Sequence, residues 1–276
     1  MSTDALRETL AGALGRDVVA LRPVAGGDLN DAYAARLDGG EEVFVKTRAG
    51  AAPGEFAGEA ESLRWLADAG AIRVAEVVAV GEDWLALRWI ERGRLDAAGE
   101  EELGRGLAAL HRAGAPAFGG PRPLRLGPLE LPNDPSGDWP SFYAERRLLP
   151  LAGRAGLGDV VGRVCARIDA LAGPPEMPSR IHGDLWSGNV LAGADGRPWL
   201  IDPAAYGGHR EVDLAMLALF GRPSARTLAA YDEVWARADG HEERVALYQL
   251  FPLLVHAVLF GGGYAASAEA AARRYV

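Results

Sequence analysis

Apolar and polar residues alternate in the first third of the chain, and this pattern predicts short β-strands interrupted by one helix. The strands are expected at residues 18–24, 32–37, 42–46, 77–80 and 84–89. A helix is predicted over residues 55–69, where Phe56, Leu63 and Leu66 recur at roughly helical spacing. The first third of the chain is therefore expected to form a small, β-rich lobe.

Helical periodicity dominates after residue 93. Helices are expected at residues 97–112, 139–152, 157–172, 213–220, 225–236 and 242–260. The change of pattern near residues 90–93 predicts a hinge between an N-terminal domain at residues 1–90 and a C-terminal domain at residues 91–276. The chain is accordingly expected to have an α+β fold with two lobes, of which the second is larger and mainly helical.

One stretch of the second lobe has a composition that opposes regular structure. Glycine and proline occupy 12 of the 28 positions from 113 to 140, and both residue types interrupt helices and strands. This composition predicts a surface loop. A segment that contacts a substrate is the alternative interpretation.

Composition and charge exclude several classes of protein. The net charge of −9 provides no overall field that would attract nucleic acid or an anionic membrane, so neither is an expected partner. Cys165 is the single cysteine, which excludes an internal disulfide or a cysteine-rich zinc site and makes the cytoplasm the expected location. The first residues do not resemble a secretion signal, and the longest apolar run, residues 250–260, is shorter than the roughly 20 residues that span a bilayer. That run is expected to be a buried helix.

Lysine is almost absent from the chain. Of the 29 basic residues, only Lys46 is a lysine. A compact ammonium and a planar guanidinium are not interchangeable, so a lysine retained in such a background indicates a position where arginine fails. Lys46 is therefore the first candidate for a functional residue.

An aspartate and an asparagine form the clearest chemical motif, in residues 181–190. Asp184 and Asn189 lie five positions apart within Ile-His-Gly-Asp-Leu-Trp-Ser-Gly-Asn-Val, which is the spacing of a kinase catalytic loop. In phosphoryl transfer a carboxylate orients the acceptor hydroxyl and takes its proton, while magnesium needs a nearby oxygen ligand. Asp184 and Asn189 fit these two roles.

The sequence contains no Walker-type phosphate loop, zincin helix or hydrolase nucleophile elbow.

A second carboxylate follows the motif. Asp202 lies 13 residues after Asn189, at the end of a short apolar segment that reads as a strand. A carboxylate exposed at that point could hold a metal ion against phosphate oxygens. Each of Asp184, Asn189 and Asp202 could instead cap a turn. Their combination and order favour a catalytic site.

Two weaker features lie upstream. Lys46 ends a predicted strand and Glu59 follows 13 residues later in the predicted helix, the order of a lysine that binds the α- and β-phosphates and the glutamate that holds it. A solvated helix face is the alternative for Glu59.

Gly26 and Gly27, followed by Asn30, lie between two strands, where glycines let backbone amides approach phosphates. Such a turn is also common in simple hairpins.

Together these segments resemble the fructosamine kinase (ketosamine 3-kinase) family, a branch of the aminoglycoside phosphotransferase and protein kinase-like superfamily. The resemblance extends along nearly the whole chain. Residues 182–189 carry its most specific part, because the Leu-Trp-Ser-Gly extension is typical of this family. Further matches are found at residues 26–30, 44–46, 56–60, 202–204, 209–216 and 259–264.

The resemblance implies a bilobal protein kinase-like fold, ATP and Mg²⁺ in the cleft, and phosphorylation of a sugar hydroxyl of a ketosamine, either small or linked to a protein. Such enzymes are regarded as deglycation repair enzymes, since the 3-phosphate is unstable and releases the free amine. By the same resemblance, Asp184 would be the catalytic base, Asn189 and Asp202 the metal ligands, and Lys46 with Glu59 the phosphate clamp.

The chain departs from the family pattern at several positions. Arg88 occupies a place where the family often has a hinge glutamate, so the adenine would be held by backbone groups near Trp89 and Ile90. Asp28 replaces a small residue beside the expected triphosphate, where a carboxylate would be repelled unless it faces away. Leu131 replaces a glutamine. These departures concern the identity of the substrate more than phosphoryl transfer.

Three residues are candidates for contact with the sugar. Trp186 could stack on the sugar or pack in the core, while His209 and Glu211 could meet the substrate or brace the loop. Arg210 and Asp213 are expected to brace the loop as an ion pair. A pseudokinase that binds nucleotide without chemistry, and a kinase of another small alcohol such as an aminoglycoside, are the alternative functions.

Overall fold

An antiparallel sheet with a helix on each face forms the N-terminal part of the protein. The computed structural model describes residues 2–24 and 30–276. The elements of this part are α1 (Thr3–Leu14), β1 (Val18–Pro23), β2 (Asp31–Leu37), β3 (Glu42–Thr47), α2 (Glu55–Ala67), β4 (Arg73–Val74), β5 (Val77–Val80) and β6 (Trp84–Arg88). The five-stranded sheet has the order β1-β2-β3-β6-β5. The five strands of this sheet and the helix α2 lie where the sequence pattern predicts them, within a few residues, whereas β4 was not predicted.

Strand β3 shows how the sheet divides its side chains between the two helices. Val43 and Val45 are buried in the cluster that includes Leu6 and Leu10 of α1. Successive side chains of a strand point to opposite faces, so the alternate residues of β3 face α2, and Phe44 packs against the cluster that contains α2. Lys46 shares the face of Phe44, which directs the single lysine toward α2.

The remaining part of the protein is mainly helical. Its elements are α3 (Ala97–Arg112), β7 (Leu124–Leu126), β8 (Leu129–Leu131), α4 (Trp139–Tyr143), α5 (Leu149–Ala152), α6 (Gly158–Cys165), α7 (Ile168–Leu171), β9 (Ser179–Ile181), β10 (Val190–Ala192), β11 (Pro198–Leu200), β12 (Tyr206–Gly208), α8 (Glu211–Leu217), α9 (Ala225–Val234), α10 (His241–Phe260) and α11 (Tyr264–Arg273). The fold class is α+β, as the sequence predicts.

Helix α10 is the centre of the larger core. It is long and apolar enough to cross a membrane by length and composition alone. Leu247, Leu250 and Leu254 have no exposed surface and pack in the same cluster as residues of α4, α6 and α11. The helix is therefore a core element, as expected, although its last residue, Phe260, is 51% exposed.

The prediction of a structureless loop at residues 113–140 is wrong. Strands β7 and β8 pair as an antiparallel hairpin within it, and Leu124, Leu129 and Leu131 are buried in the larger core. Gly127 lies in the turn with a φ of 57°, which glycine tolerates best. Prolines can flank so short a hairpin without removing one of its hydrogen bonds, which explains why composition alone misled.

One of the predicted long helices contains a π-helical turn, and another is broken into two pieces. Between α4 and α5 the backbone forms a π-helical turn over Ala144–Leu148, and the helix predicted at residues 157–172 consists of α6 and α7. Helix α11 lies in an alanine-rich segment for which the periodicity gave no prediction. A run of small residues buries little area, so its helical pattern is faint.

Candidate active site

The segment that carries Asp184 is anchored on both sides. Strand β9 pairs with β12 immediately before it, and Leu185 is fully buried in the core that joins the sheet to α3. The ring of His182 is buried, and its Nε2 donates to the carbonyl of Ile201 over 2.9 Å. Burial lowers the pKa of His182, against the raising effect of Asp213. His182 is thus a neutral residue that ties the segment to the strand before Asp202.

Asp213 fixes the backbone of the segment that carries Asp184. Its carboxylate accepts the backbone N–H groups of His182 and Gly183 over 2.7 and 2.9 Å, and Nε2 of His111 lies 3.2 Å away. Burial alone would raise the pKa of Asp213, but the hydrogen bond from His111 and the nearby histidines outweigh it, so the pKa is lowered. A buried carboxylate with three donors is a rigid support for the segment.

The expected ion pair between Arg210 and Asp213 is therefore wrong. Arg210 pairs instead with Glu176, with Nη2 to Oε1 at 2.8 Å, and its guanidinium lies 4.1 Å from the ring centroid of Trp235. Both residues brace the structure, but with different partners. The carboxylate oxygens of Asp213 can accept the backbone N–H groups because they are not paired with a guanidinium.

Asn189 closes the turn that begins at Asp184. Its Nδ2 donates to the backbone carbonyl of Asp184 over 2.8 Å and to the Asp184 carboxylate over 3.2 Å. The side chain of Asn189 is buried, and because its Nδ2 makes these contacts, its Oδ1 is left as an acceptor. Burial, followed by the charge of Asp202, raises the pKa of Asp184 to about 7.

Asp202 lies directly opposite this turn, after β11. Among the described residues it is the one non-glycine with a positive φ, 53°. That conformation costs energy for an L-residue and is concentrated at functional sites. The Asp202 side chain is 42% exposed, so its carboxylate is accessible from the cleft.

Lys46 connects the sheet to the helical part at this point. Its Nζ donates to Oδ1 of Asp202 over 2.8 Å and also forms an ion pair with Glu59 of α2. Burial would lower the pKa of Lys46, but the two carboxylates raise it, whereas burial raises the pKa of Glu59 to about 6 against the effect of Lys46. Glu59 is therefore not part of a solvated helix face.

The structure describes only some of the residues predicted to hold the nucleotide base and phosphates. Gly26 and Gly27 lie outside the described residues, as does Asp28. Asn30 is half-buried, and its Oδ1 is buried without a hydrogen-bond partner. Trp89 lies with its ring centroid 5.9 Å from the guanidinium of Arg22.

Two neighbours of Trp89 differ in their environment. Ile90 packs against the core that contains Leu185. Arg88, at the position expected to depart from the family, pairs with Glu76, with Nε to Oε2 at 2.6 Å, and its side chain is half-exposed. The Arg88 side chain is thus paired with the neighbouring segment. Backbone groups beside Trp89 and Ile90 therefore stay the predicted contacts of the adenine.

Of the candidates for sugar contact, the structure leaves Trp186 exposed and buries the other two. His209 stacks on Tyr248 with centroids 5.3 Å apart, and Glu211 forms an ion pair with Arg244 over 2.6 Å. His209 and Glu211 are 2% and 4% exposed, so neither side chain is available to a substrate. His209 and Glu211 are therefore not sugar contacts. They brace the loop, which is the alternative that the sequence left open.

Arg147 has a structural role that the sequence did not suggest. It is fully buried, it donates to the carbonyl of Pro132 over 2.8 Å and to Oδ1 of Asn133 over 2.5 Å, and its guanidinium lies 4.1 Å from the ring centroid of Tyr206. Because arginine is abundant in this chain, the residue type alone does not distinguish Arg147 from the other arginines. Its place in a helical pattern among apolar residues was the available clue.

The arrangement as a whole is that of a phosphotransferase. A lysine and glutamate pair from the sheet and helix of the first part faces an aspartate, an asparagine and a second aspartate from the helical part, as in protein kinase-like enzymes. The solved structure of a macrolide 2′-phosphotransferase type I superposes on this chain with a TM-score of 0.65 at 18% identity, covering 98% of this chain and 97% of that one. At that identity the likeness shows the fold alone.

Closer comparisons define the family. The family model for fructosamine kinase matches residues 3–276, and the chain belongs to that family. A protein of Synechocystis named as a probable ketoamine kinase is 37% identical over 258 residues, which is 90% of this chain and 87% of that protein. A crystal structure of a protein from Thermobifida fusca named as a putative fructosamine-3-kinase is 40% identical, with a TM-score of 0.93 and 99% of each chain covered. As a member of this family the protein is a kinase, and the family implies the use of ATP.

Proposed function

We propose that the protein transfers the γ-phosphate of ATP to the 3-hydroxyl of a ketosamine. The observation that carries the proposal is the convergence of Lys46, Asp184, Asn189 and Asp202, which come from three separate stretches of sequence, on one cleft. The names of the relatives, ketoamine kinase and fructosamine-3-kinase, supply the class of acceptor.

Asp184 is the residue that would orient the acceptor hydroxyl. Its carboxylate is held by the Asn189 amide, while the backbone on its N-terminal side is held by Asp213. The carboxylate would accept a hydrogen bond from the hydroxyl and take its proton as the bond to phosphorus forms. Because the transition state of such a transfer is loose, correct placement contributes more than strength as a base.

The oxygen donors across the turn fit a magnesium ion. Asn189 offers Oδ1, because its Nδ2 is used by Asp184, and Asp202 offers an accessible carboxylate. Magnesium is typically bound by one or two carboxylates together with phosphate oxygens and water. When bound, such an ion neutralises negative charge on the transferring phosphate. Asn189 and Asp202 would hold it.

Lys46 would bind the phosphate chain of the nucleotide. Its ammonium is buried, is charged because of Glu59 and Asp202, and projects from the sheet toward the helical part. Glu59 keeps the ammonium in place, since it pairs with Lys46 in addition to Asp202. A buried cation that is already positioned needs no reorganisation when phosphate binds.

The proposal is tested with the purified protein, ATP and a panel of acceptors. Fructoselysine, ribuloselysine, the free sugars and an aminoglycoside are each incubated with ATP and Mg²⁺, and phosphorylated products are followed by ³¹P NMR. We expect phosphate on the ketosamines and on neither the free sugars nor the aminoglycoside. Transfer only to the aminoglycoside would contradict the acceptor class, and nucleotide binding without any transfer would support a pseudokinase.

A matched pair of variants tests the role of Asp184. Asp184→Asn should reduce kcat by at least about 100-fold while ATP still binds, since the amide cannot take the proton. Asp195→Asn is the control, because Asp195 is an exposed partner of Arg73 in the turn between β10 and β11. Full turnover by Asp184→Asn would exclude Asp184 as the base.

A further inference from the structure

Exposed aromatic side chains are confined to one surface of the protein. Among the described phenylalanine, tyrosine and tryptophan residues, only three are exposed, namely Trp186 at 38%, Phe220 at 40% and Phe260 at 51%. They come from the catalytic segment, the connection between α8 and α9, and the end of α10. Exposed apolar side chains that cluster, instead of occurring singly, mark a surface that binds something.

These residues form a continuous row of rings. The centroids of Trp186 and Phe220 are 6.0 Å apart in an edge-to-face arrangement. Phe220 lies 5.2 Å from His256, which in turn lies 5.6 Å from Phe260 and 4.9 Å from Tyr264. We call these five residues the aromatic wall. Neighbouring rings at such distances support each other's orientation, so the wall exists before anything binds.

The wall begins at the reacting centre. Trp186 is two residues after Asp184, and its backbone N–H donates to the Asp184 carbonyl over 3.1 Å. The indole lies across Gly188, where an added Cβ would approach the ring to 2.2 Å. Glycine is therefore required at position 188 for the indole to lie flat on the segment. Because Leu185 is fully buried beside it, the direction of Trp186 is fixed outward.

We propose that the aromatic wall binds the substituent carried by the amine of the ketosamine, and that Phe220 and Phe260 decide which substituents are accepted. This inference rests on the proposed function. The sugar must present its 3-hydroxyl to Asp184, and the amine is attached two carbons away, at C1. The substituent therefore leaves the sugar close to the catalytic segment, where Trp186 and then Phe220 begin the wall.

The chemistry of the wall matches that substituent. In a glycated lysine the nitrogen bonded to C1 of the sugar is protonated at neutral pH, and the substituent that it carries is a run of methylene groups. Aromatic faces bind methylene groups by burial of apolar area and attract an ammonium group held over the ring. A bare sugar carries neither feature, so the outer part of the wall contributes little to binding it.

The test compares two ketosamines that differ only in the substituent. One is 1-amino-1-deoxyfructose, which has none, and the other is fructosyl-lysine with its α-amine blocked. We expect the unmodified protein to have a kcat/KM at least about tenfold higher for the fructosyl-lysine, a difference that a few buried methylene groups can supply. The preference should fall to about twofold or less in the double variant Phe220→Ser/Phe260→Ser, through KM on the substituted acceptor.

Met177→Ser is the matched control, because Met177 is an apolar side chain that is 81% exposed and lies before β9, outside the wall. It should keep the preference of the unmodified protein. Equal losses on both acceptors in the double variant, or an undiminished preference, would overturn the inference while leaving the proposed function intact. Absence of transfer to both ketosamines by the unmodified protein would instead overturn the proposed function.

A second copy of the chain is the other possible occupant of an apolar surface. Light scattering on the unmodified protein and the double variant distinguishes this case. A dimer that the double variant converts to monomer, with the preference unchanged, would identify the wall as a contact between copies and overturn the inference. An unchanged mass together with the lost preference would support it.

Discussion

Lys46 donates a hydrogen bond to Asp202, 156 residues further along the chain, over 2.8 Å. The contact joins a sheet strand to the segment after β11, and a third group, Glu59, holds the same ammonium from α2. Because Lys46 is 6% exposed, its charge is stabilised by these carboxylates more than by water. The one lysine of the chain thus lies where two carboxylates and a cleft require a compact cation.

Replacing this lysine by arginine should abolish transfer. The planar guanidinium is larger and directs its donors in a fixed fork, so Lys46→Arg cannot occupy the space between Glu59 and Asp202 without displacing one of them. We expect kcat/KM to fall by at least about 100-fold, the size of effect seen when a preorganised charge is lost. Steady-state kinetics with ATP as the varied substrate measure it.

The reverse exchange at the surface is the control for that experiment. Arg73→Lys changes a partly exposed arginine that pairs with Asp195, in a turn between two short strands, and lies over the ring of Trp199. Pairs of this kind contribute about 0–1 kcal/mol to stability, and the activity should not change. If Lys46→Arg were as active as Arg73→Lys, the bias in composition would have no functional meaning at position 46.

Asp213 should make the stability of the protein depend on acid pH. Its pKa is lowered in the folded state, so it binds fewer protons there than in the unfolded chain. Its contribution is therefore complete above the unfolded pKa of about 3.9 and is lost as the pH falls through the lower, folded value. At pH 7 we expect Asp213→Asn to be less stable by about 3 kcal/mol, because an amide cannot accept from all three donors.

Urea unfolding at pH 7, 5 and 3 measures this effect. The difference in free energy of unfolding between the unmodified protein and Asp213→Asn should be the same at pH 7 and 5, and should shrink at pH 3. Asp195→Asn, at an exposed position where the carboxylate pairs only with surface groups such as Arg73, provides the comparison. A difference that stays constant down to pH 3 would show that the Asp213 carboxylate is not the source of the stability.

The sequence predicted the parts of the site that depend on spacing and missed those that depend on packing. Asp184, Asn189 and Lys46 were predicted because a short loop or a strand end fixes their positions through local geometry. The structure brings them together, and their roles stay predictions. The partner of Arg210 was predicted wrongly, since Asp213 is close in sequence whereas Glu176 lies 34 residues away and is brought to Arg210 only by the tertiary structure. Ion pairs between distant elements carry no local pattern.

The fold shows the same division. Strands β1 to β3 were predicted within a residue or two, and each places apolar residues such as Val18, Leu37 and Val45 in the cluster with α1. Each strand of the β7–β8 hairpin has only three residues. An alternation of apolar and polar residues that short cannot be recognised within a proline-rich stretch. The exposure of Phe260 was missed because a helix pattern indicates which residues share a face but not where the core ends.

Arg147 should be important for stability although no carboxylate pairs with it in the described structure. It is fully buried, and its charge is compensated by carbonyl and amide oxygens and by the faces of Tyr206 and Phe142, whose centroids lie 4.1 and 4.5 Å from the guanidinium. Arg147→Ala would leave the Pro132 carbonyl and Asn133 Oδ1 without this donor and open a cavity. We expect a loss of about 3–5 kcal/mol in the free energy of unfolding.

Arg147→Lys separates the role of the charge from that of the fork. A lysine keeps the cation but cannot reach Pro132 and Asn133 together while covering the ring of Tyr206. We expect it to restore less than half of the stability lost in Arg147→Ala, measured by urea unfolding at pH 7. Complete recovery would mean that charge alone, and not the planar group, is needed at this position.

Glu211 and Arg244 should behave as a buried ion pair and not as substrate contacts. Removing one partner leaves an unpaired charge in the core, so Glu211→Ala and Arg244→Met should each destabilise the protein by about 3–5 kcal/mol. The double variant should be less destabilised than the sum of the two, because neither charge is then left alone. The pair is 4% and 9% exposed, which is the condition for so large a coupling.

The kinetics of the same variants test the correction made for Glu211. A residue that braces the fold should change the amount of active protein without changing KM for the ketosamine, whereas a residue that contacts the sugar should raise KM. Measurements at a temperature where the double variant is folded, verified by circular dichroism, make the comparison fair. A rise in KM of tenfold or more in Glu211→Ala/Arg244→Met, with the protein fully folded, would return Glu211 to the acceptor site.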